Sequence, residues 1–289
     1  MSSIQESEVV VLGWWVSMFT ARVRIALAEK GISYEYIEED FPENKSPLLL
    51  NHNPVYKKVP VLVHKGKPIC ESLIIIRYID ETWKEGYSLL LSDPYLKSQA
   101  AFWADYIDRH IYEGLKIIIT SKGEEMKKGV EKFLGYLLCS TGTPFMWPYP
   151  YRVLVGDGNT VGTRRGRFLN VSNVGDFCRS SFPYRPRTPI PYPFPCYLGY
   201  LKVLERELGE KPYFNGESFG FVDIALISYY SHIIADGMLG NFSIEKHCPK
   251  LHVWATQCMK RESVWKTLAD PNKIYESLVA YRKKIGVDE

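Results

Sequence analysis

Ser17 stands where a short apolar run, Val9–Leu12, gives way through Gly13-Trp14-Trp15-Val16 to a helical pattern. A hydroxyl at such a junction has two roles open to it. It can cap the helix, or it can donate a hydrogen bond to an anion that the helix dipole also stabilises. A thiolate is the anion that gains most, because a free thiol, with a pKa of about 8.5, is only a few per cent ionised at neutral pH. Ser17 has no partners for a nucleophilic triad, since none of the six histidines lies in a recognisable nucleophile motif.

A second set of chemistry-bearing residues lies within 56–78, YKKVPVLVHKGKPICESLIIIRY. Val59–Val63 is apolar and β-branched, as a buried strand requires; Lys65-Gly66-Lys67 suits a hairpin turn, and Pro68–Cys70 the return strand. Pro60 cannot donate to a ladder, so it belongs at a strand start or an edge. A cis Val59–Pro60 bond would turn the Val59 N–H and C=O outward, where an extended peptide can pair as an added strand. Glu71-Ser72 opens the next helix, with Ser72 placed to cap it, and that N-terminus favours a carboxylate. Edge and helix start together suit a short acidic peptide. A turn and a capped helix with no ligand is the plainer alternative.

The elements that must hold these residues are set by periodicity. Thr20–Lys30 carries Val23, Ile25, Ala26 and Leu27 on one side and charges on the other, and Gly31 ends it. Tyr34–Ile37 alternates as a strand, and 41–58 is a connection punctuated by Pro42, Pro47 and Pro54. The order strand–helix–strand–helix–strand–strand–helix predicts a thioredoxin-like α/β domain over 1–85. A linker, 86–94, leads to an all-α domain over 95–289. Its expected helices are Tyr95–Thr120, Glu124–Leu137, Phe221–Ile234 (Asp223 reaching back to Gly220), Lys250–Arg261 and Asn272–Lys284.

Residues 138–201 break this pattern, with nine of the eighteen prolines, seven arginines and no lysine. Only Asp157 and Asp176 oppose those arginines, so the net charge of +3 originates here and the rest of the chain is slightly acidic. Leu134-Gly135-Tyr136-Leu137 recurs as Leu198-Gly199-Tyr200-Leu201, 64 residues later. Removing one copy with everything between leaves a continuous amphipathic helix. The segment therefore reads as an aperiodic, disordered insertion into a helix, the product of a retained intron or a gene-model error, with a functional loop as the alternative. With 46% hydrophobic residues, no membrane-length apolar run and no secretory leader, the chain has a soluble composition. The small net charge argues against nucleic acid as a partner. Six scattered cysteines without CxxC pairs read as reduced thiols, with no metal site.

IALAEKG (25–31), YEYIEED (34–40), NKSPLLL (44–50), KKVPVLVHKGKP (57–68), YIDETW (78–83) and FVDIAL (221–226), in this order, make the chain resemble plant tau-class glutathione transferases. The resemblance runs from Val9 to about Gly286, outside the insertion. It implies a cytosolic homodimer that attaches the glutathione thiolate to hydrophobic electrophiles in detoxification and stress response, with glutathione as co-substrate and no cofactor. It assigns Ser17 to the thiolate and Lys45 to the glycyl carboxylate, with Lys58 assisting, although both lysines could instead be solvated surface charges. Val59, beside cis Pro60, would pair with the cysteinyl residue. Glu71 would take the γ-glutamyl amino group and Ser72 its carboxylate. Trp14, Phe19, Trp103, Tyr106, Ile119 and His232 are the expected electrophile pocket, although Trp103, Tyr106 and His232 could instead be core residues.

The chain departs from that class in places. Met18 follows Ser17 where Pro is usual, and Ile119 and His232 stand where Trp is common. These departures leave a second reading, a weakly active or non-catalytic carrier of apolar ligands or glutathione conjugates. The insertion leaves a third, an inactive product.

Overall fold

The structure, a computed structural model, describes residues 8–41, 43–123, 125–126, 160–162, 168–170 and 197–288. The chain forms two compact units, Met1–Phe133 with Pro195–Glu289, and Leu134–Phe194.

The first unit opens with β1 (Val9–Gly13), α1 (Met18–Glu29), β2 (Glu35–Glu38), α2 (Pro47–His52), β3 (Val61–His64), β4 (Lys67–Cys70) and α3 (Ser72–Thr82). The sheet order is β2-β1-β3-β4, with β1 parallel to β2 and antiparallel to β3. Val9–Leu12 are all buried because this strand is central and covered on both faces. Lys65 and Gly66 both take positive φ, the two-residue turn that joins β3 to β4 in register. The Val59–Pro60 peptide is cis, and both residues lie just outside β3, so the proline interrupts no ladder.

The connection at 86–94 is pinned. Leu89 and Leu90 are buried, and both donate their N–H groups to Asp80 at the end of α3. The first helices beyond it are α4 (Pro94–Tyr106), a π-turn (Ile107–Ile111) and α5 (Tyr112–Thr120), one continuous rod as the periodicity predicts. Then come α6 (Tyr197–Leu208), α7 (Phe221–Ile227), α8 (Tyr230–Gly240), α9 (Ile244–His247), α10 (Pro249–Cys258), α11 (Glu262–Trp265) and α12 (Pro271–Lys284). Asp223 does reach back to the Gly220 N–H, at 3.0 Å, and also takes the Trp254 indole N–H at 2.8 Å. Among the described residues no helix is long and apolar enough to cross a membrane.

Several sequence expectations change. Phe221–Ile234 is two helices, because the Ala225 carbonyl accepts from Arg22 and from the Ser228 hydroxyl, and Tyr229 N–H bonds Leu226 instead. Lys250–Arg261 ends early, at Cys258. The boundary of the insertion also moves. Tyr197–Leu201, all assigned to it by sequence, open α6 with their side chains in the core. The two Leu-Gly-Tyr-Leu copies are identical, so the sequence cannot say which one takes that seat. Within the second unit, β5 (Thr160–Gly162) pairs antiparallel with β6 (Phe168–Asn170), so those six residues are not aperiodic. The rest of 138–196, and the expected helix over Glu124–Leu137 except Glu125 and Met126, lie outside the described residues.

Candidate active site

The turn from β1 into α1 is closed from both directions. Ser17 N–H donates to the Trp14 carbonyl at 2.9 Å, and Trp14 N–H donates to the Thr20 hydroxyl at 3.3 Å. The Ser17 hydroxyl accepts from Thr20 N–H at 3.2 Å, which makes it the N-cap and starts α1 at Met18. A cap uses a lone pair of the oxygen and leaves the O–H free to donate. No acidic residue in the first turn offsets the positive end of the helix. Capping and anion donation, alternatives by sequence, are thus compatible in one hydroxyl. Gly13 is required here, since a Cβ would press into the Thr20 methyl and the Tyr36 ring.

The glutathione-side candidates cluster on the neighbouring elements. The loop ahead of Val59 is held by Asn53, buried, whose amide donates to the Lys58 carbonyl at 2.9 Å. Val59 is buried and Lys58 exposed. Lys45 is half-buried, its ammonium 5.2 Å from the centre of the Phe41 ring, and Phe41 in turn contacts Trp14 at 5.5 Å. Its neighbour Ser46 is fixed by buried Glu39, which accepts from both its N–H and its hydroxyl. Glu71, exposed, has φ of +71° and precedes α3 without a side-chain cap. Ser72 is therefore the first helical residue and not the cap that its position suggests. Its hydroxyl instead accepts from Arg22 Nη1 at 3.2 Å.

Arg22 is the hub that sequence reasoning missed. Fully buried on α1, it bonds Ser72, both carboxylate oxygens of Asp108 (2.6 and 3.1 Å) and the Ala225 carbonyl twice, so all five guanidinium N–H groups are used. Burial works against its charge, but the Asp108 carboxylate outweighs burial and raises its pKa. Tyr229 also donates to Asp108, at 3.3 Å. Arg22 lies 5.3 Å from the centres of both the Phe19 and Tyr229 rings. Asp108 and Ala225 are 86 and 203 residues away in sequence, so no local spacing announces the pairing.

The pocket candidates divide. Phe19 meets Tyr112 edge-on at 5.5 Å and Tyr229 at 6.1 Å, which adds two aromatics the sequence reading did not select. Ile119 is buried at the end of α5, where its carbonyl accepts from Arg282. His232 is buried on α8, and its Nδ1 has no hydrogen-bond partner. Trp103 and Tyr106 contact each other at 5.5 Å and run to Phe102, His110 and Tyr200, an aromatic row on α4, the π-turn and α6 separate from the Phe19 group.

Residues 7–81 match the family described as glutathione S-transferase, N-terminal domain. The chain is 43% identical over 282 residues to the probable glutathione S-transferase parC of Nicotiana tabacum, covering 97% of this chain and 98% of that one. It is 40% identical to glutathione S-transferase U19 of Arabidopsis thaliana over 96% of this chain and 97% of the relative. Among solved structures, a rice glutathione S-transferase in complex with glutathione aligns with a TM-score of 0.71 at 32% identity, over 98% of this chain and 99% of that one. The chain belongs to the glutathione S-transferases. A tau-class enzyme from mango superposes with a TM-score of 0.67 at 30% identity, over 94% of this chain and 98% of its own. Within the family, the plant tau class is its place.

Proposed function

We propose that this glutathione transferase acts as a cytosolic homodimer in which Ser17 stabilises the glutathione thiolate for attack on hydrophobic electrophiles. The thiol proton leaves to solvent, and the Ser17 O–H donates to the sulfur at the positive end of α1. The thiolate then forms a carbon–sulfur bond while the electrophile releases its leaving group. Ser72 takes the γ-glutamyl carboxylate, its hydroxyl oriented by Arg22, and Glu71 takes the amino group. Val59 pairs through its backbone with the cysteinyl residue. Lys45, assisted by Lys58, holds the glycyl carboxylate. Phe19, Trp14, Tyr112 and Ile119 offer the apolar wall for the electrophile, and no metal takes part. Catalysis lies in lowering the thiol pKa and in proximity, with no covalent enzyme intermediate.

The observation that carries this reading is the Ser17 cap, which spends a lone pair on Thr20 and keeps its proton for a ligand. A conjugation assay with glutathione and a chloro-nitro-aromatic acceptor tests it. Ser17→Ala should lower kcat roughly 100-fold, the usual effect of losing one donor to a developing or resting anion. Undiminished turnover in a folded Ser17→Ala protein overturns the assignment.

A further inference from the structure

The helix α5 has little of its own to hold its far end. It leaves the π-turn, carries Gly114, and finishes Ile117-Ile118-Ile119-Thr120, a β-branched run that loses side-chain freedom in a helix. The last carbonyls of a helix have no partner within it, and such ends fray unless something outside satisfies them. Ser121 N–H takes the Ile117 carbonyl at 3.0 Å. A side chain from α12 meets others. Arg282, buried, donates from Nη1 to the carbonyls of Ile118 (2.8 Å), Ile119 (2.9 Å) and Ser121 (2.8 Å), which lie 161 to 164 residues away in sequence. Its Nε and Nη2 donate to the two carboxylate oxygens of Asp288, at 2.6 and 2.8 Å.

A planar guanidinium gripped by a bidentate carboxylate on one edge holds a fixed orientation, so the carbonyls on its other edge are held too. Its charge also stands at the negative end of the α5 dipole, where a cation is favoured. In the proposed pocket, α5 supplies Tyr112 from its start, against the Phe19 ring, and Ile119 from its end. Arg282 bonds the carbonyl of Ile119 itself, and so fixes the backbone from which that side chain departs. We propose that Arg282 is a positioning residue for the electrophile pocket: clamped by Asp288, it keeps the last turn of α5 helical and sets where Ile119 stands against the acceptor. The inference rests on the assignment of Ile119 to the apolar wall. It makes acceptor binding, and not glutathione binding, depend on a buried charge near the end of the chain.

Steady-state conjugation reads the KM for a chloro-nitro-aromatic acceptor and the KM for glutathione separately, with melting temperature in parallel. The full chain is compared with Arg282→Met, Arg282→Lys, Ile119→Ala and the variant carrying both Arg282→Met and Ile119→Ala. Arg282→Met should raise the acceptor KM roughly tenfold, the scale of one charge-assisted hydrogen bond, and move the glutathione KM by less than about twofold. Arg282→Lys keeps the charge but cannot serve all three carbonyls and Asp288 together, so the rise should shrink to about threefold. In the double variant the acceptor KM should be no higher than in the worse single one, because the clamp acts through the Ile119 side chain. A fall in melting temperature with the acceptor KM unchanged, or an equal rise in both KM values, makes Arg282 a purely structural residue and overturns the proposal. Fully additive effects in the double variant overturn it as well. Should Arg282→Met fail to fold, Arg282→Lys decides, and an unchanged acceptor KM there overturns the proposal equally. If Ile119→Ala itself leaves the acceptor KM unmoved, the wall assignment fails first, and the proposal with it.

Discussion

The two walls of the proposed site are built in opposite ways. On the thioredoxin-like side, Val59, Pro60, Glu71 and Ser72 fall within fourteen consecutive residues, and much of what they offer is backbone. On the helical side, Tyr112 and Ile119 come from α5, while Tyr229 and His232 come from the start of α8, more than a hundred residues on. They meet only because those helices pack. A wall made from one strand–turn–helix segment is specified locally and tolerates change elsewhere. A wall made by convergence depends on every contact that brings its pieces together. Arg22 joins the two, bonding Ser72 of the first and Asp108 and Ala225 of the second.

That contrast can be broken most severely at Arg22. Arg22→Met should cost about 3 kcal/mol, the lower end for a broken buried ion pair, because the Asp108 side chain is 31% exposed and can partly rehydrate. Urea unfolding reads the stability loss, and the KM for glutathione should rise with it, since Ser72 loses its orienting donor. Stability falling with the KM unchanged would separate the two walls. Acid offers the next largest effect. His232 has a folded-state pKa of about 4, below the ordinary 6.5, so the unfolded chain binds more protons between those values. Stability contributed by the neutral ring is present above pH 6.5 and lost as pH falls towards 4, by on the order of 3 kcal/mol. The midpoint of urea unfolding should therefore drop across that window, and the drop should shrink in His232→Gln. A still smaller effect discriminates within the local wall. Lys45→Ala should raise the glutathione KM roughly tenfold, as expected for a partly desolvated charge-assisted bond, whereas Lys58→Ala, fully at the surface, should change it by less than about threefold. Equal effects would erase the distinction drawn from their burial.

Legibility in the sequence divides along the same line. The order of strands and helices in the first domain is readable from Val9–Leu12, the Lys65-Gly66 turn and the Gly31 stop, because each is a local signal. The start of α1 is two residues earlier than periodicity suggests, since the Ser17 cap, not the apolar pattern, decides it. The break between α7 and α8 is invisible in sequence. It arises when a side chain from α1 takes the Ala225 carbonyl out of its helix. Trp103 and Tyr106 share helical spacing with pocket residues, yet the π-turn at Ile107–Ile111 adds a residue to the rod and rotates the helix beyond it by roughly 100°. Tyr112, beyond that turn, meets Phe19 instead.

The start of α6 carries a consequence for how such a chain is inherited. The tetrapeptide that fills the core there, Leu198–Leu201, is spelled identically 64 residues earlier. Losing one copy and everything between it and the other leaves the same four letters at the junction. At the position just before them, Phe133 would stand in place of Tyr197. That exchange deletes a single hydroxyl, one that burial beside Asp236 already keeps protonated. Within those four letters, the long and short spellings of this gene are synonyms.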